Sequence, residues 1–201
     1  QVYVWKGDGS RLPGWPVLLW DAERPDDERG EEPRQRQRIM ATPTVGDLNG
    51  DGIPDIVVGT NEQYSDSGRL YAIDGRGTKA AKTLLPGWPV STFSRYVLPV
   101  VGSGLPNAAG MADIDRDGKP EIFVNGIGGN LEILRSDGSS YPVKLLPGQQ
   151  GFGPGSDTHE FAALGFIANP ALGDLDGDGR PEAILPNTGA NTALSMLKGY
   201  E

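Results

Sequence analysis

The chain has no cysteine, one histidine and no long apolar run, and each absence removes a class of function. Without cysteine there is no disulfide staple, thiolate metal site or thiol nucleophile. The compartment stays open on that count, because many secreted bacterial proteins also lack cysteine. No apolar stretch approaches the ~18 to 20 residues of a membrane-spanning helix. Basic residues are in the minority: 18 Lys+Arg against 27 Asp+Glu give a formal charge of -9. That sign repels a phosphate backbone, so nucleic acid is not an expected partner. The single histidine, His159, is followed by Glu160, but residue 163 is Ala163, so the H-E-x-x-H zinc pattern fails. There is no G-x-S-x-G elbow and no P-loop. No isolated acid/base pair of carboxylates stands out either, so no catalytic residue is nominated and a non-enzyme is expected.

The 201 residues contain 37% hydrophobic residues, enough for the core of one large domain or a piece of a repeat array. The 30 glycines and 17 prolines are spread throughout, which excludes long helices. The chain opens on Gln1 rather than Met, as expected of a processed or excised chain.

One pattern occurs three times: TPTVGDLNGDGIPDIVVG at 42–59, GMADIDRDGKPEIFVNG at 110–126 and NPALGDLDGDGRPEAILPN at 169–187. The first aspartates, Asp47, Asp113 and Asp174, stand 66 and 61 residues apart. A second motif keeps step with it: VYVWKGDGSRLPGWPV from Val2, LYAIDGRGTKAAKTLLPGWPV from Leu70 and LEILRSDGSSYPV from Leu131, with Asp8, Arg76 and Asp137 in register. Two motifs sharing a period of about sixty define one repeating unit.

Each unit reads as four short strands. Apolar β-formers flank the aspartate loop, an alternating strand such as Leu70 to Ile73 follows, then a Gly-rich turn and a fourth strand near Trp88 to Val90. That is the size of a propeller blade with enlarged loops. The expected fold is therefore all-β, with β-propeller blades of four antiparallel strands in a partial propeller or a segment of a longer array. The units divide as a partial blade at 1–20, a charged insertion at 21–38, blades at 39–92 and 100–143, a Gly-rich insertion at 146–160 and a partial blade at 161–201. The charged insertion, with Arg34, Arg36 and Arg38 after an acidic block, reads as a solvated loop able to pair with itself.

The aspartate loops carry the chemistry. Loop 1 offers Asp47, Asn49, Asp51 and Asp55; loop 2, Asp113, Asp115, Asp117 and Glu121; loop 3, Asp174, Asp176, Asp178 and Glu182. Oxygens at positions 1, 3, 5 and 9, with glycine at 6 for a sharp turn and the backbone carbonyl of position 7 (Ile53, Lys119, Arg180), suit a hard cation of six to eight oxygen ligands. Ca²⁺ is expected at three sites, which would bring the charge from -9 to about -3. Oxygen-only ligands argue against zinc and copper, and the tight Mg²⁺ octahedron suits a flexible wrap less well. An EF-hand is excluded because position 12 is Val58, Val124 or Leu185 rather than Glu. Single D-G and N-G dipeptides could be plain hairpin turns. Three in-phase loops with four oxygen side chains each exceed what a turn needs.

This loop, D-x-[DN]-x-D-G-x-x-[DE] after a small-residue strand and before an apolar one, resembles the FG-GAP or VCBS repeats of integrin α-like β-propellers. The resemblance implies a calcium-binding structural, adhesion or assembly module of a secreted or cell-surface protein, with neighbouring blades or chains, a surface protein or a glycan as partners. The two other readings are an accessory propeller of a carbohydrate-active enzyme and a glycan-binding lectin. Trp15 and Trp88, in matching PGWP contexts, are expected to pack between blades, with Tyr141 in the comparable place of the third unit and Trp5 and Trp20 packing similarly.

Overall fold

A computed structural model describes residues 1–19, 39, 41–62, 69–91, 103–105, 107–125, 131–141 and 169–184. Both insertions, Trp20, His159 and residues 161–168 and 185–201 of the last partial blade lie outside the described residues. The fold is all-β. A four-stranded antiparallel sheet runs β1 (Thr44–Gly46), β2 (Asp55–Gly59), β4 (Arg69–Ile73), β5 (Val90–Ser91) in spatial order. A three-stranded sheet follows, β7 (Gly110–Ala112), β8 (Glu121–Asn125) and β9 (Leu131–Leu134), and then the pair β10 (Ala171–Gly173) and β11 (Glu182–Ile184). A small pair, β3 (Asn61–Glu62) with β6 (Ser103–Gly104), joins the first two units. The all-β, antiparallel architecture is the one expected from the repeat, with four strands described in the first sheet, three in the second and two in the third.

The central sheet is covered on both faces, which explains its apolar sequence. Strand β2, DIVVG, is buried at every position. Alternation along β2 and β4, fixed by the register Ile56↔Ile73, Val57↔Ala72 and Val58↔Tyr71, sorts the side chains to opposite sides. Val57, Leu70 and Ala72 join Ile122, Val124 and Leu134 of the following sheet. Ile56, Val58, Tyr71 and Ile73 join Val2, Trp15, Val17 and Leu19 of the N-terminal hairpin. Blades thus stack face to face. At one edge of the stack the small strand β1 lies against β7, and β7 against β10.

Neighbouring units meet at a repeated joint. Trp15 and Trp88 are buried in it, as expected. Trp88 Nε1 donates to the Ser136 carbonyl of the next unit at 3.0 Å. The Gly14 carbonyl accepts from both Thr78 N (2.9 Å) and Thr78 Oγ1 (3.0 Å). Close approach makes glycine necessary here: a Cβ on Gly14 or Gly87, both at positive φ, would overlap the carbonyl oxygen of Arg76 or Asp137 in the next turn. The same segments carry cis peptide bonds at Trp15-Pro16 and Trp88-Pro89.

Tyr141 requires a correction. Its amide donates to Ile133 O (2.8 Å), as Leu85 N donates to Ala72 O (3.0 Å) and Leu12 N to Val4 O (2.9 Å). The bridges Trp5↔Arg11, Ile73↔Leu84 and Leu134↔Ser140 fix the same register. Tyr141 therefore replaces Leu12 and Leu85, not the tryptophans three residues later. Rather than filling a joint, it lies under the Arg135 guanidinium, 5.3 Å from its ring centroid. Trp5 also departs from expectation: it is 59% exposed and stacks on Tyr3 with ring centroids 5.5 Å apart.

Gly87→Ala should lower stability by about 2 kcal/mol or more, combining a disfavoured left-handed backbone with overpacking against Asp137. Gly7→Ala, where a Cβ meets nothing within 4 Å, should change it little. Urea unfolding of both variants measures the difference.

Candidate metal centre

The three aspartate loops close hairpins of identical register: Gly46↔Asp55, Ala112↔Glu121 and Gly173↔Glu182 pair at their mouths. Position 1 and position 9 of each loop are therefore brought together by the ladder itself.

Inside each loop the carboxylates are oriented by backbone amides. At position 1, Asp47, Asp113 and Asp174 each use Oδ2 to accept from the position-6 glycine amide: Gly52 at 2.8 Å, Gly118 at 2.9 Å and Gly179 at 2.8 Å. Oδ1 takes further amides, such as Gly50 N (2.8 Å), Asp117 N (3.1 Å) and Gly177 N (2.7 Å). At position 3, Asn49, Asp115 and Asp176 accept from the position-5 amide. At position 5, Asp51, Asp117 and Asp178 accept from the amides of Ile53, Lys119 and Arg180 at 2.9, 2.8 and 2.7 Å. At position 9, Asp55, Glu121 and Glu182 accept from the position-2 amides of Leu48, Ile114 and Leu175 at 3.1, 2.9 and 2.7 Å.

The turn that makes this possible uses two left-handed residues. Position 6 is glycine at φ 81, 88 and 82. Position 4 is also left-handed: Gly50 at 77, Gly177 at 79, and Arg116 at 63, the non-glycine among them. The sequence reading missed position 4, although Asn49-Gly50 and Asp176-Gly177 signalled it. Arg116 reaches across to loop 3, donating from Nη2 to the Asp178 carbonyl at 2.8 Å.

The loops differ in what they gather. Carboxylate oxygens of Asp113, Asp115 and Glu121 lie within 4.8 Å of one another, and so do those of Asp174, Asp176 and Glu182. Oxygens held about 2.3–2.6 Å from one centre stand at most about 5 Å apart, so both clusters have the spacing of ligands to a common hard cation. Asp117 and Asp178 are not members of these clusters. Burial pushes the Glu121 carboxyl above its ordinary range, the Ile114 amide opposes this, and the charges of Asp115, Asp117 and Asp113 add to the rise. Such a carboxylate is short of positive charge.

Loop 1 has its own cation. Asp51 Oδ2 is 3.1 Å from Arg76 Nη2, and Arg76 also clasps Asp74 through Nη2 (2.6 Å) and Nε (2.8 Å). Hydrogen bonding to Arg76 holds the Asp74 carboxyl below the usual range. Asp55 is buried and raised by that burial, against the Leu48 and Gly75 amides, and it accepts Gly75 N on Oδ1 (3.1 Å) as well as Leu48 N on Oδ2.

Comparison with known proteins agrees with the repeat. The model of the FG-GAP-like repeat matches residues 47–124 and 113–185, each span starting at the first aspartate of a loop. The chain is 30% identical to human integrin alpha-6 over 101 residues, 48% of this chain and 8% of that protein. It is 27% identical to integrin alpha-PS5 of Drosophila melanogaster over 161 residues, 77% of this chain and 15% of that protein. The chain thus spans a small part of the length of both relatives. No solved structure matches it. With two overlapping matches running from the first aspartate loop through the third, the chain belongs to the FG-GAP-like repeat family.

Proposed function

We propose that the chain is a non-enzymatic, calcium-binding structural module, working in adhesion or assembly within a secreted or cell-surface protein. The observation that carries this reading is the shared cradle: three loops at identical register, with carboxylates at positions 1 and 9 oriented by backbone amides. Asp47, Asn49, Asp51, Asp55 and the Ile53 carbonyl are the ligands proposed for loop 1. Asp113, Asp115, Asp117, Glu121 and the Lys119 carbonyl serve loop 2, and Asp174, Asp176, Asp178, Glu182 and the Arg180 carbonyl serve loop 3. A bound Ca²⁺ supplies the positive charge that lets the clustered carboxylates stay ionised, so binding free energy becomes folding free energy. Extracellular calcium modules commonly bind at ~10⁻⁴ to 10⁻³ M. Such a module is stiff outside the cell and loose inside it. Membership in a family that includes integrin α-like relatives supports the adhesion-type role.

The assembly part of the reading rests on the N-terminal hairpin. By register Tyr3 and Trp5 take the places of Tyr71 and Ile73, which are fully buried against the preceding hairpin. Tyr3 is instead 43% exposed, Trp5 59% and, beside them, Leu18 60%. Continuity with the joint described above makes the occupant of this face another FG-GAP-like unit, docking a PGWP-type fourth strand on it. In a solution of the 201-residue chain, a second copy can supply such a strand.

A melt of the metal-stripped chain against rising Ca²⁺, with Mg²⁺ in parallel, tests the first part. At a hundredfold excess over Kd each site contributes about 2.7 kcal/mol, so Tm should climb by several degrees with Ca²⁺ and much less with Mg²⁺. An unchanged Tm would remove the calcium reading. For the second part, sedimentation of the 201-residue chain should show concentration-dependent self-association that the double substitution Tyr3→Ser, Trp5→Ser weakens. A wild-type chain that stays monomeric at high concentration would count against the docking face.

A further inference from the structure

We propose that loop 1 is neutralised from within the chain by Arg76, so that the three loops are unequal: loops 2 and 3 hold Ca²⁺ tightly and loop 1 holds it weakly. This rests on the calcium reading above and assigns the order in which the sites fill.

Three observations converge on loop 1. The Arg76 guanidinium reaches back from the turn after β4 to the position-5 carboxylate, Asp51 Oδ2, at 3.1 Å, while Asp74 anchors its other side at 2.6 and 2.8 Å. A cation wrapped by this loop would have to share Asp51 with a fixed positive charge, and like charges at that range repel. Second, position 9 is Asp55, which accepts Leu48 N on Oδ2 and, on Oδ1, Gly75 N of the same turn that carries Arg76. Asp55 is a methylene shorter than Glu121 and Glu182, which give an oxygen to the position-2 amide and still reach their clusters. Third, position 3 is the neutral Asn49, where loops 2 and 3 have Asp115 and Asp176. Loop 1 therefore brings three carboxylates, with the Arg76–Asp74 pair beside them, whereas loops 2 and 3 each bring four carboxylates. Ligand charge count is a main determinant of calcium affinity in such loops.

The surroundings of the other loops sharpen the contrast. By the register of the Ile73↔Leu84 and Leu134↔Ser140 bridges, the residue equivalent to Arg76 in the next unit is Asp137, and the residue equivalent to Asp74 is Arg135. The charge order of the turn is reversed: Asp137 holds the position in its turn that Arg76 holds in the preceding one. Arg116 does approach loop 3, but it binds the Asp178 carbonyl and not a carboxylate. Arg76 thus ties loop 1 to its own blade without a metal, leaving that blade's edge closed when calcium is withdrawn.

Calorimetric titration of the metal-stripped 201-residue chain with Ca²⁺, with native mass spectrometry to count ions, tests the assignment. Two ions should bind roughly tenfold or more tighter than a third, the range over which ligand charge count tunes such sites. Asp113→Asn and Asp174→Asn should each remove one tight ion, while Asp47→Asn leaves two. Arg76→Gln should bring the third ion within a few-fold of the others; where that variant loses its fold, the Asp47→Asn count decides. Three ions of equal affinity in the wild type, or a tight ion lost in Asp47→Asn, would overturn the inference and leave the calcium reading standing. No bound ion at all would overturn both.

Discussion

A β-sheet with both faces covered has no side to give to water, and this condition governs the molecule. The central sheet lies between the N-terminal hairpin and the β7-β8-β9 sheet, so β2 and β4 must be apolar on alternating and intervening positions alike. Polar chemistry is therefore expelled to the strand ends. That is where the aspartate loops, the Asp74–Arg76 clasp and the Gly-rich joints are found. Two of the buried carboxylates, Asp55 and Glu121, are the places where the two regimes meet: each begins a buried strand and at the same time closes a loop. Their backbone hydrogen bonds satisfy part of the cost of burying a charge, and the raised carboxyls record the part left over.

The loops are organised by the backbone before they are organised by charge. Amides at positions 2, 5, 6 and 7 each find a side-chain oxygen in all three copies, so the chain path is set by hydrogen bonds from the backbone to these side chains. What differs between copies is the balance of charge laid over this shared path. Arginine in one turn and aspartate in the equivalent turn of the next unit show how a repeat can hold its shape while its electrostatics diverge.

Most of the architecture was legible because it rests on local patterns. Strand pairs around the loops follow from β-branched residues at DIVVG and EIFVN, and the gathering of Asp113, Asp115 and Glu121, and of Asp174, Asp176 and Glu182, follows from oxygen side chains at fixed offsets. The burial of Trp15 and Trp88 was readable from their matching PGWP contexts. Tyr141 was misplaced because chemical likeness to tryptophan suggested an alignment that only the backbone register could decide. Trp5 and Tyr3 carry the sequence of a buried face, and sequence cannot say what covers it. The reach of Arg76 to Asp51 was hidden for another reason: the two are 25 positions apart in the chain, joined through a hairpin whose geometry no spacing rule encodes. Position 4 escaped because an arginine, Arg116, occupies a conformation that glycine advertises and arginine does not.

The joint between blades has a consequence for how such proteins lengthen. Each joint is made from the PGWP end of one unit and the turn of the next, so a cut at a sheet boundary would split it and leave a buried tryptophan and a glycine contact without their counterparts. A cut at an aspartate loop splits it too, because loop 1 lies between Gly14 and Thr78 and loop 2 between Trp88 and Ser136; a cut between Lys79 and Gly87, inside one unit, leaves both described joints whole. The repeat in sequence is therefore out of phase with the repeat in structure, as the matched span from Asp47 into β8 illustrates. Duplication of one period cut in the stretch between Lys79 and Gly87 would insert a complete, self-matching interface, which makes that stretch, between the turn and the PGWP strand, the natural seam along which an array of these units grows or shrinks.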